Sequence, residues 1–456
     1  MLKNSSSFRD PSGFVFEYQS DLYRSVNKSY AREFQFFLDS GLRDTLFQKG
    51  WLVKHEQVSI PEITNEDLLL IIKPERLPVI SYPYEWCFSQ LKDAALLTLN
   101  VMKTALEQGM ILKDASPFNI QFKGYKPVFI DTLSFSIYED GQIWYGYRQF
   151  CEHFLAPLCI ASYLGVSVQS LLKPGVDGVP LKTTSKLLPW QTWLKSATLM
   201  HVHLHAKTIG HYSGKEKSGI SIPRKISKRD LSALVDHLYS FINKLQLSNS
   251  DKTQWQDYDK ETHYSKEGKS EKAVIIKEFL ALANPSVIWD MGANDGSFSR
   301  SIADKSKQII SLDADPLAIE KNYNYVKSLK IENIYPLLFD LTNPSPGLGW
   351  ANKERVELSD RSKPDLLMAL ALIHHIVITY NVPFDHVAKY FAELSEWLII
   401  EFVPEGDEKI KALPETAGKK RYTRENFEKY FFLHFQKVKE NKITDSDRTL
   451  LLLKRI

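Results

Sequence analysis

The stretch Val287-Ile-Trp-Asp-Met-Gly-Ala-Asn-Asp-Gly-Ser-Phe-Ser-Arg300 constrains this chain more than any other. An apolar run from Val287 to Trp289 ends in Asp290, glycines follow at Gly292 and Gly296, and Ser297 to Arg300 open a helical pattern. That order reads as strand, tight turn, helix. Glycine lacks a Cβ and accepts positive φ, so such a turn brings main-chain N–H groups and a helix N-terminus close to a ligand. A dinucleotide fingerprint needs G-x-G-x-x-G, and only Gly292-x-x-x-Gly296 stands here, after an aspartate. A second apolar run, Ile309 to Leu312, ends in Asp313, placed to accept hydrogen bonds from ribose hydroxyls. A third, Ile334 to Phe339, ends in Asp340.

As a set, D-x-G-x-x-x-G from Asp290 to Gly296, Asp313 ending the next strand and Asp340 ending the third resemble the class I S-adenosylmethionine-dependent methyltransferases, over roughly Tyr258 to Ile456. The resemblance implies an α/β, Rossmann-like fold: a seven-stranded methyltransferase sheet with helices on both faces, closed by an antiparallel pair whose last strand is inserted beside the fifth. It implies S-adenosyl-L-methionine as cofactor. Asp290 and the backbone around Gly292, Asn294 and Gly296 would hold the methionine moiety, Asp313 the ribose hydroxyls and Asp340 the adenine amino group. Three further segments, Leu370-Ala-Leu-Ile-His-His-Ile376, Ile400-Glu-Phe-Val-Pro404 and Tyr422-Thr-Arg-Glu-Asn-Phe-Glu428, stand behind an N-terminal Leu112-Lys-Asp-Ala-Ser-Pro-Phe-Asn119. Together these resemble bacterial two-part methyltransferases related to a rhizobial nodulation protein, a family whose motifs do not specify the methyl acceptor.

Strand and helix patterns alternate through the rest of this half. Helices are expected at Glu271 to Ala283, 297–305, 315–329 and Phe384 to Leu394, and strands at 308–313 and 333–339. The run Asp365 to Ala371 is apolar after its first residue, as a strand covered on both faces must be. It is read as running on to His374 and His375, where substrate would lie. A strand at Glu396 to Val403, a helix at Tyr422 to Tyr430 and a hairpin of Phe435 to Ile443 with Thr449 to Leu453, turning near Asp445, complete the pattern. Methyl transfer asks for in-line alignment and an acceptor for a proton. His374 and His375 titrate in the useful range, and Glu401 is the other candidate; each also reads as a polar residue satisfied at a strand end. No Asn-Pro-Pro-Tyr follows the fourth strand, which argues against base or glutamine N-methylation.

In the N-terminal half, an amphipathic helix is expected around Ser29 to Ser40, short strands at Leu68 to Ile72 and Val79 to Ser81, and a long helix from Ser89 to Gln108 with Leu91, Ala95, Leu99, Met102 and Leu106 on one stripe. Then come Asp114 and Asn119 in D-x-x-x-x-N spacing, followed by an apolar strand ending in Asp131. This resembles the catalytic loop and metal-binding aspartate of the protein-kinase and aminoglycoside-phosphotransferase family, over about residues 65 to 165. That family would orient a substrate hydroxyl with Asp114 and hold magnesium with Asn119 and Asp131. The pattern departs from the family: no glycine-rich loop precedes it, Thr132-Leu133 follows Asp131, and Lys73 sits before Pro74. It reads as a degenerate kinase-like, α+β domain that recognises substrate or a partner.

A helix from Gln191 to Lys207 carries His201, His203 and His205, with His211 beyond. The absence of a neighbouring carboxylate or cysteine favours packing or solvated histidines over a metal site. Residues 212–229 are basic and read as a solvated loop, and a helix follows from Asp230 to Lys244. The division expected is a recognition domain over 1–247, a linker over 248–265 and a methyltransferase domain over 266–456. A length of 456 residues allows two or three domains, and a net charge of +3 demands neither nucleic acid nor membrane. The start lacks an apolar h-region, no run reaches membrane-spanning length, and Cys87, Cys151 and Cys159 show no metal spacing, so a cytoplasmic protein with reduced thiols, no membrane insertion and no metal is expected. Two alternatives stay open: an ATP-dependent phosphotransferase using Asp114, Asn119 and Asp131, and a non-enzymatic adaptor.

Overall fold

A computed structural model describes residues 2–208, 225–248, 266–304, 307–444 and 446–456. His211, residues 212–224 of the basic stretch, residues 249–265 of the expected linker and Asp445 lie outside the described residues. The chain divides into two compact units, Met1–Asp251 with Pro346–Val356, and Lys252–Ser345 with Glu357–Ile456.

The first unit begins with an antiparallel sheet of β1 (Leu2–Lys3), β2 (Val15–Tyr18), β3 (Asp21–Asn27), β4 (His55–Val58) and β5 (Leu68–Pro74), in the order β1-β2-β3-β5-β4. The helix Ala31–Asp39 buries Phe34 and Phe37, and Val26, Tyr30, Phe34, Ile72 and Leu133 form one core cluster. The helix Phe88–Glu107 buries the expected stripe in full. Two small antiparallel pairs follow, β6 (Met110–Leu112) with β9 (Phe135–Ile137) and β7 (Ile120–Lys123) with β8 (Lys126–Phe129).

Two local expectations fail in this unit. Val79 to Ser81 is not a strand, because the Ser81 N–H donates to the Gln121 side chain at 2.8 Å instead of to a strand partner. The helix expected from Gln191 to Lys207 breaks into a 3₁₀ turn Trp190–Leu194, a single turn Ser196–Thr198 and a wide π stretch Leu199–Leu204. Its hydroxyls compete for backbone carbonyls: Thr192 Oγ1 donates to Pro189 O at 2.6 Å and Thr198 Oγ1 to Lys195 O at 3.1 Å. The segment Pro346–Val356 also belongs to this unit, fixed by a two-pronged ion pair of Arg9 with Glu354, both contacts at 2.8 Å.

The second unit is built on a seven-stranded sheet of β10 (Val287–Met291), β11 (Gln308–Asp313), β12 (Ile334–Leu338), β13 (Leu366–Ala369), β14 (Trp397–Phe402), β15 (Phe435–Lys442) and β16 (Thr449–Arg455). The order is β12-β11-β10-β13-β14-β16-β15. The first five strands run parallel, and β16 enters antiparallel between β14 and β15, as the sequence led one to expect. Leu450 to Leu453 on β16 are fully buried, which explains their uninterrupted apolar run. Full burial of each such side chain contributes about 1.5–3 kcal/mol, so this insertion anchors the sheet's far edge. Among the described residues no helix is long and apolar enough to cross a membrane.

Candidate functional site

Parallel strands all end on the same edge of the sheet, and the order of this one reverses at β10, whose neighbours are β11 on one side and β13 on the other. Chains leaving β10 and β13 must turn in opposite directions, which opens a crevice at their carboxyl ends. There the structure has a cleft of about 580 Å³, lined among others by Gly292, Asn294, Asp313, Asp340, Leu372 and His375. This is within the size range of small-molecule sites. Its floor needs glycine at 292: φ is +73°, and a Cβ would stand 3.0 Å from Leu372 Cδ1. The loop is fastened to β11 by Gly292 and Ala293 N–H groups that both donate to Leu312 O, at 2.8 and 2.9 Å.

Asp313 is the most constrained polar group of the cleft. Asn294 N donates to its Oδ2 at 2.7 Å and Asp315 N to its Oδ1 at 2.9 Å, yet burial outweighs these bonds and pushes its carboxyl up to about 6. Asp340 also lines the cleft, its Oδ1 accepting from Thr342 N at 2.9 Å and Thr342 Oγ1 at 2.7 Å. Asp290 and Gly296 are not among the lining residues. Asp290 is buried behind the floor, accepts from Ser299 Oγ at 2.6 Å, and is pushed up to about 7 by burial. Gly296, at φ +75°, makes room for Asn322, whose Oδ1 would lie 2.2 Å from an added Cβ.

The sequence reading of His374 and His375 as the end of the fourth strand needs correction. β13 ends at Ala369, and Ala371 takes φ +50°, a left-handed conformation that turns the chain out of the sheet. His375 then opens a wide helical stretch, His375–Thr379, held by its N–H on Leu372 O at 3.0 Å. His375 lines the cleft and is lowered to about 4, by burial first and then by Lys409 and Arg448. His374 packs against it with ring centroids 4.0 Å apart and planes tilted by 40°, is fully buried, and among the described residues neither of its ring nitrogens has a hydrogen-bond partner. Both imidazoles are therefore neutral near pH 7. Glu401 is not a lining residue: it is fully buried, accepts from Lys272 Nζ at 2.5 Å and lies 3.7 Å from Arg448, which in turn pairs with Asp407 at 2.8 Å.

No family model matches the chain. Nodulation protein NoeA of Rhizobium meliloti (strain 1021) is 34% identical over 461 residues, covering 99% of this chain and 96% of that protein. This chain belongs to the NoeA family. Among solved structures, a magnesium protoporphyrin IX methyltransferase of Synechocystis PCC 6803 with bound SAH is similar over 46% of the NoeA-family chain and 90% of its own, at 14% identity and a TM-score of 0.32. An N-methyltransferase NodS from Bradyrhizobium japonicum WM9 is similar over 42% and 98%, at 12% identity and a TM-score of 0.31. Scores of that size leave the reading of the site to its own geometry.

The NoeA-family chain also brings Asp114, Asn119 and Asp131 together in its first unit. Asp114 and Asn119 sit between β6 and β7 and Asp131 follows β8. Asn119 Nδ2 donates to Ser134 Oγ at 3.2 Å, and the Ser134 hydroxyl donates to Asp131. Asp114 is raised by burial despite accepting from Ser116 N at 2.9 Å. What the sequence reading missed is Arg24, whose guanidinium lies 2.7 Å from Asp131, both side chains mostly buried. Lys73, before Pro74, pairs with Asp21 at 2.7 Å. Among the described residues no group of three or more His, Cys, Asp or Glu side chains is arranged to hold a metal ion. Of the histidines on the stretch Leu199–Leu204, His201 lies between Tyr147 and His237 at 2.7 and 2.8 Å, and His203 between Ser185 and Thr192.

Proposed function

We propose that this NoeA-family chain is a methyltransferase that takes its methyl group from S-adenosyl-L-methionine in the cleft of the second unit, on an acceptor still to be identified. The observation that carries the reading is Asp313: a carboxylate desolvated to a raised value, lining a cleft at the strand-order switch, with both oxygens already oriented by backbone N–H groups. S-adenosyl-L-methionine supplies a sulfonium methyl that is already activated for displacement. What remains for the chain is positioning and handling a proton. Asp313 accepts from the ribose hydroxyls through its remaining lone pairs, the loop Gly292 to Asn294 receives the methionine end, and Asp340 faces the adenine amino group. Asp290 and Gly296 shape this loop from behind.

On the acceptor side, His375 is the cleft-lining group able to take a proton from an approaching hydroxyl or amine, because its environment keeps the imidazole neutral. Glu401 serves the same reaction only at one remove, by holding Lys272 and Arg448 in the scaffold beneath. The unit carrying Asp114, Asn119 and Asp131 we assign to recognition of the acceptor or a partner, as a kinase-like body whose metal-binding aspartate is spent on Arg24.

The test is calorimetric titration of the full chain with S-adenosylmethionine, S-adenosylhomocysteine and, separately, magnesium-ATP. Binding of both sulfur ligands in the micromolar range is expected, weakened at least about a hundredfold in Asp313→Ala, since two hydrogen bonds to a charged acceptor contribute about 1.5–3 kcal/mol each. Affinity should fall as pH drops through about 6, where Asp313 takes up its proton. Heat from magnesium-ATP alone would sink the proposal.

A further inference from the structure

Between Asp177 and Glu216 the chain has no acidic residue. Within the described part of that stretch stand four lysines, Lys182, Lys186, Lys195 and Lys207, all exposed. Among them five large apolar side chains also face solvent: Leu187 at 50%, Trp190 at 68%, Leu194 at 76%, Met200 at 41% and Leu204 at 46% exposure. Isolated exposed leucines are ordinary, whereas five within eighteen residues call for a partner.

The local packing makes this surface a built one. The helix Leu181–Leu187, the turn Trp190–Leu194 and the stretch Leu199–Leu204 are pinned together from within by His203. Its Nδ1 lies 2.8 Å from Ser185 Oγ, its Nε2 2.9 Å from Thr192 Oγ1, and its ring stacks on Trp193 at 4.1 Å. Lys207 Nζ covers the same indole at 4.8 Å. Polar groups are thus buried against one another while leucines and a tryptophan are left outside. That inverts the usual patterning of a solvent-facing segment.

We propose that this region of the first unit is a docking surface for an anionic lipid surface. The exposed lysines supply the charge complement to acidic headgroups, and the leucines and methionine enter the acyl boundary. The Trp190 indole suits the headgroup level, where one side is apolar and the other wet. With no described helix of spanning length, the contact lies in the interface plane. Charge also disfavours a second copy of the chain as occupant: a two-fold contact would set these lysines against their own copies with no acid on these elements to neutralise them.

The experiment is co-sedimentation of the full chain with vesicles of phosphatidylcholine alone and of phosphatidylcholine with phosphatidylglycerol. Binding is expected to the phosphatidylglycerol vesicles only, and release at about 0.5 M salt, where the screening length falls to about 4 Å. Trp190→Ser with Leu194→Ser should lower the partition at least tenfold. Lys186→Gln with Lys195→Gln should lower it about twenty-five-fold, about fivefold for each lysine. An unchanged thermal midpoint in both variants shows that the fold is intact. The proposal is overturned if the chain stays in the supernatant with anionic vesicles, if neutral vesicles bind it equally, or if the variants leave vesicle binding intact. It is overturned as well if light scattering shows that the variants abolish a concentration-dependent dimer instead.

Discussion

Each unit carries a set of acids at the ends of short apolar strands, and the two sets differ in what compensates their charge. In the first unit Asp131 meets the Arg24 guanidinium at 2.7 Å and a serine hydroxyl. Its charge is answered inside the protein. In the second unit Asp313 is met by two backbone N–H groups, Asp340 by Thr342, and Asp290 by a serine hydroxyl. Lys272, which favours the ionised form of Asp290, is itself bonded to Glu401. Burial then raises Asp290 and Asp313 well above the usual carboxylate range. A motif of acids at strand ends is therefore not enough to mark a ligand site. The mark is a carboxylate that keeps an open face and has no internal cation of its own.

The largest effect expected from breaking this comparison comes from beneath the cleft. Lys272→Met takes from the fully buried Glu401 its close cation, while Arg448 stands at 3.7 Å, and should cost about 3–5 kcal/mol of stability, read from denaturant unfolding. Adding Glu401→Leu should recover most of that loss, because a buried pair exchanged for apolar groups is near neutral. A Glu401→Gln variant that keeps its unfolding midpoint while losing turnover would instead make Glu401 an acceptor-side group. Next in size is Asp131→Asn, which leaves the mostly buried Arg24 with the more distant Asp10 at 3.6 Å and should cost about 2 kcal/mol. Affinity for S-adenosylmethionine should stay within about twofold. If magnesium-ATP stabilised the natural chain but not this variant, the first unit would be a phosphotransfer site and the contrast between the two sets would disappear.

The seven-stranded sheet was legible because buried parallel strands are uniformly apolar and end abruptly in acids, and Leu450 to Leu453 advertised the inserted strand. The partners of the site were harder to see, although each left a trace. Lys272 falls on the apolar stripe of Ile275, Ile276 and Phe279, and Asn322 on that of Ala318, Ile319 and Val326. Arg24 shares one face of β3 with Leu22 and Val26. A polar residue on a buried stripe implies a buried partner, but the partner lies 129 residues away for Lys272, and no local pattern names it. The strand end at Ala369 was misplaced because Leu370 to Ile373 continues the apolar run, while the turn rests on a left-handed alanine that no propensity foretells.

The smallest of the three effects carries the opposite sign, and that sign is the sharpest separation of the two units. Asp290 holds its proton up to about pH 7 in the folded chain but only to about 4 when unfolded. Between those values the folded state binds the extra proton, so stability is fully present below the unfolded value and is lost as pH rises through the folded one. Asp313 adds a loss of the same sign, ending near pH 6. Asp290→Asn removes the ionisation yet leaves an oxygen to accept from Ser299 Oγ. The shift alone corresponds to about 4 kcal/mol at neutral pH. The variant also forfeits the attraction of Lys272 and still buries an amide, so a net gain of about 1–2 kcal/mol is expected at pH 7 and almost none at pH 4. Thermal midpoints measured across that window should diverge by about 3–6 °C at the upper end. Parallel curves for the two proteins would mean that Asp290 is compensated in the fold as Asp131 is, and the uncompensated character assigned to the second unit's acids would have to rest on Asp313 alone.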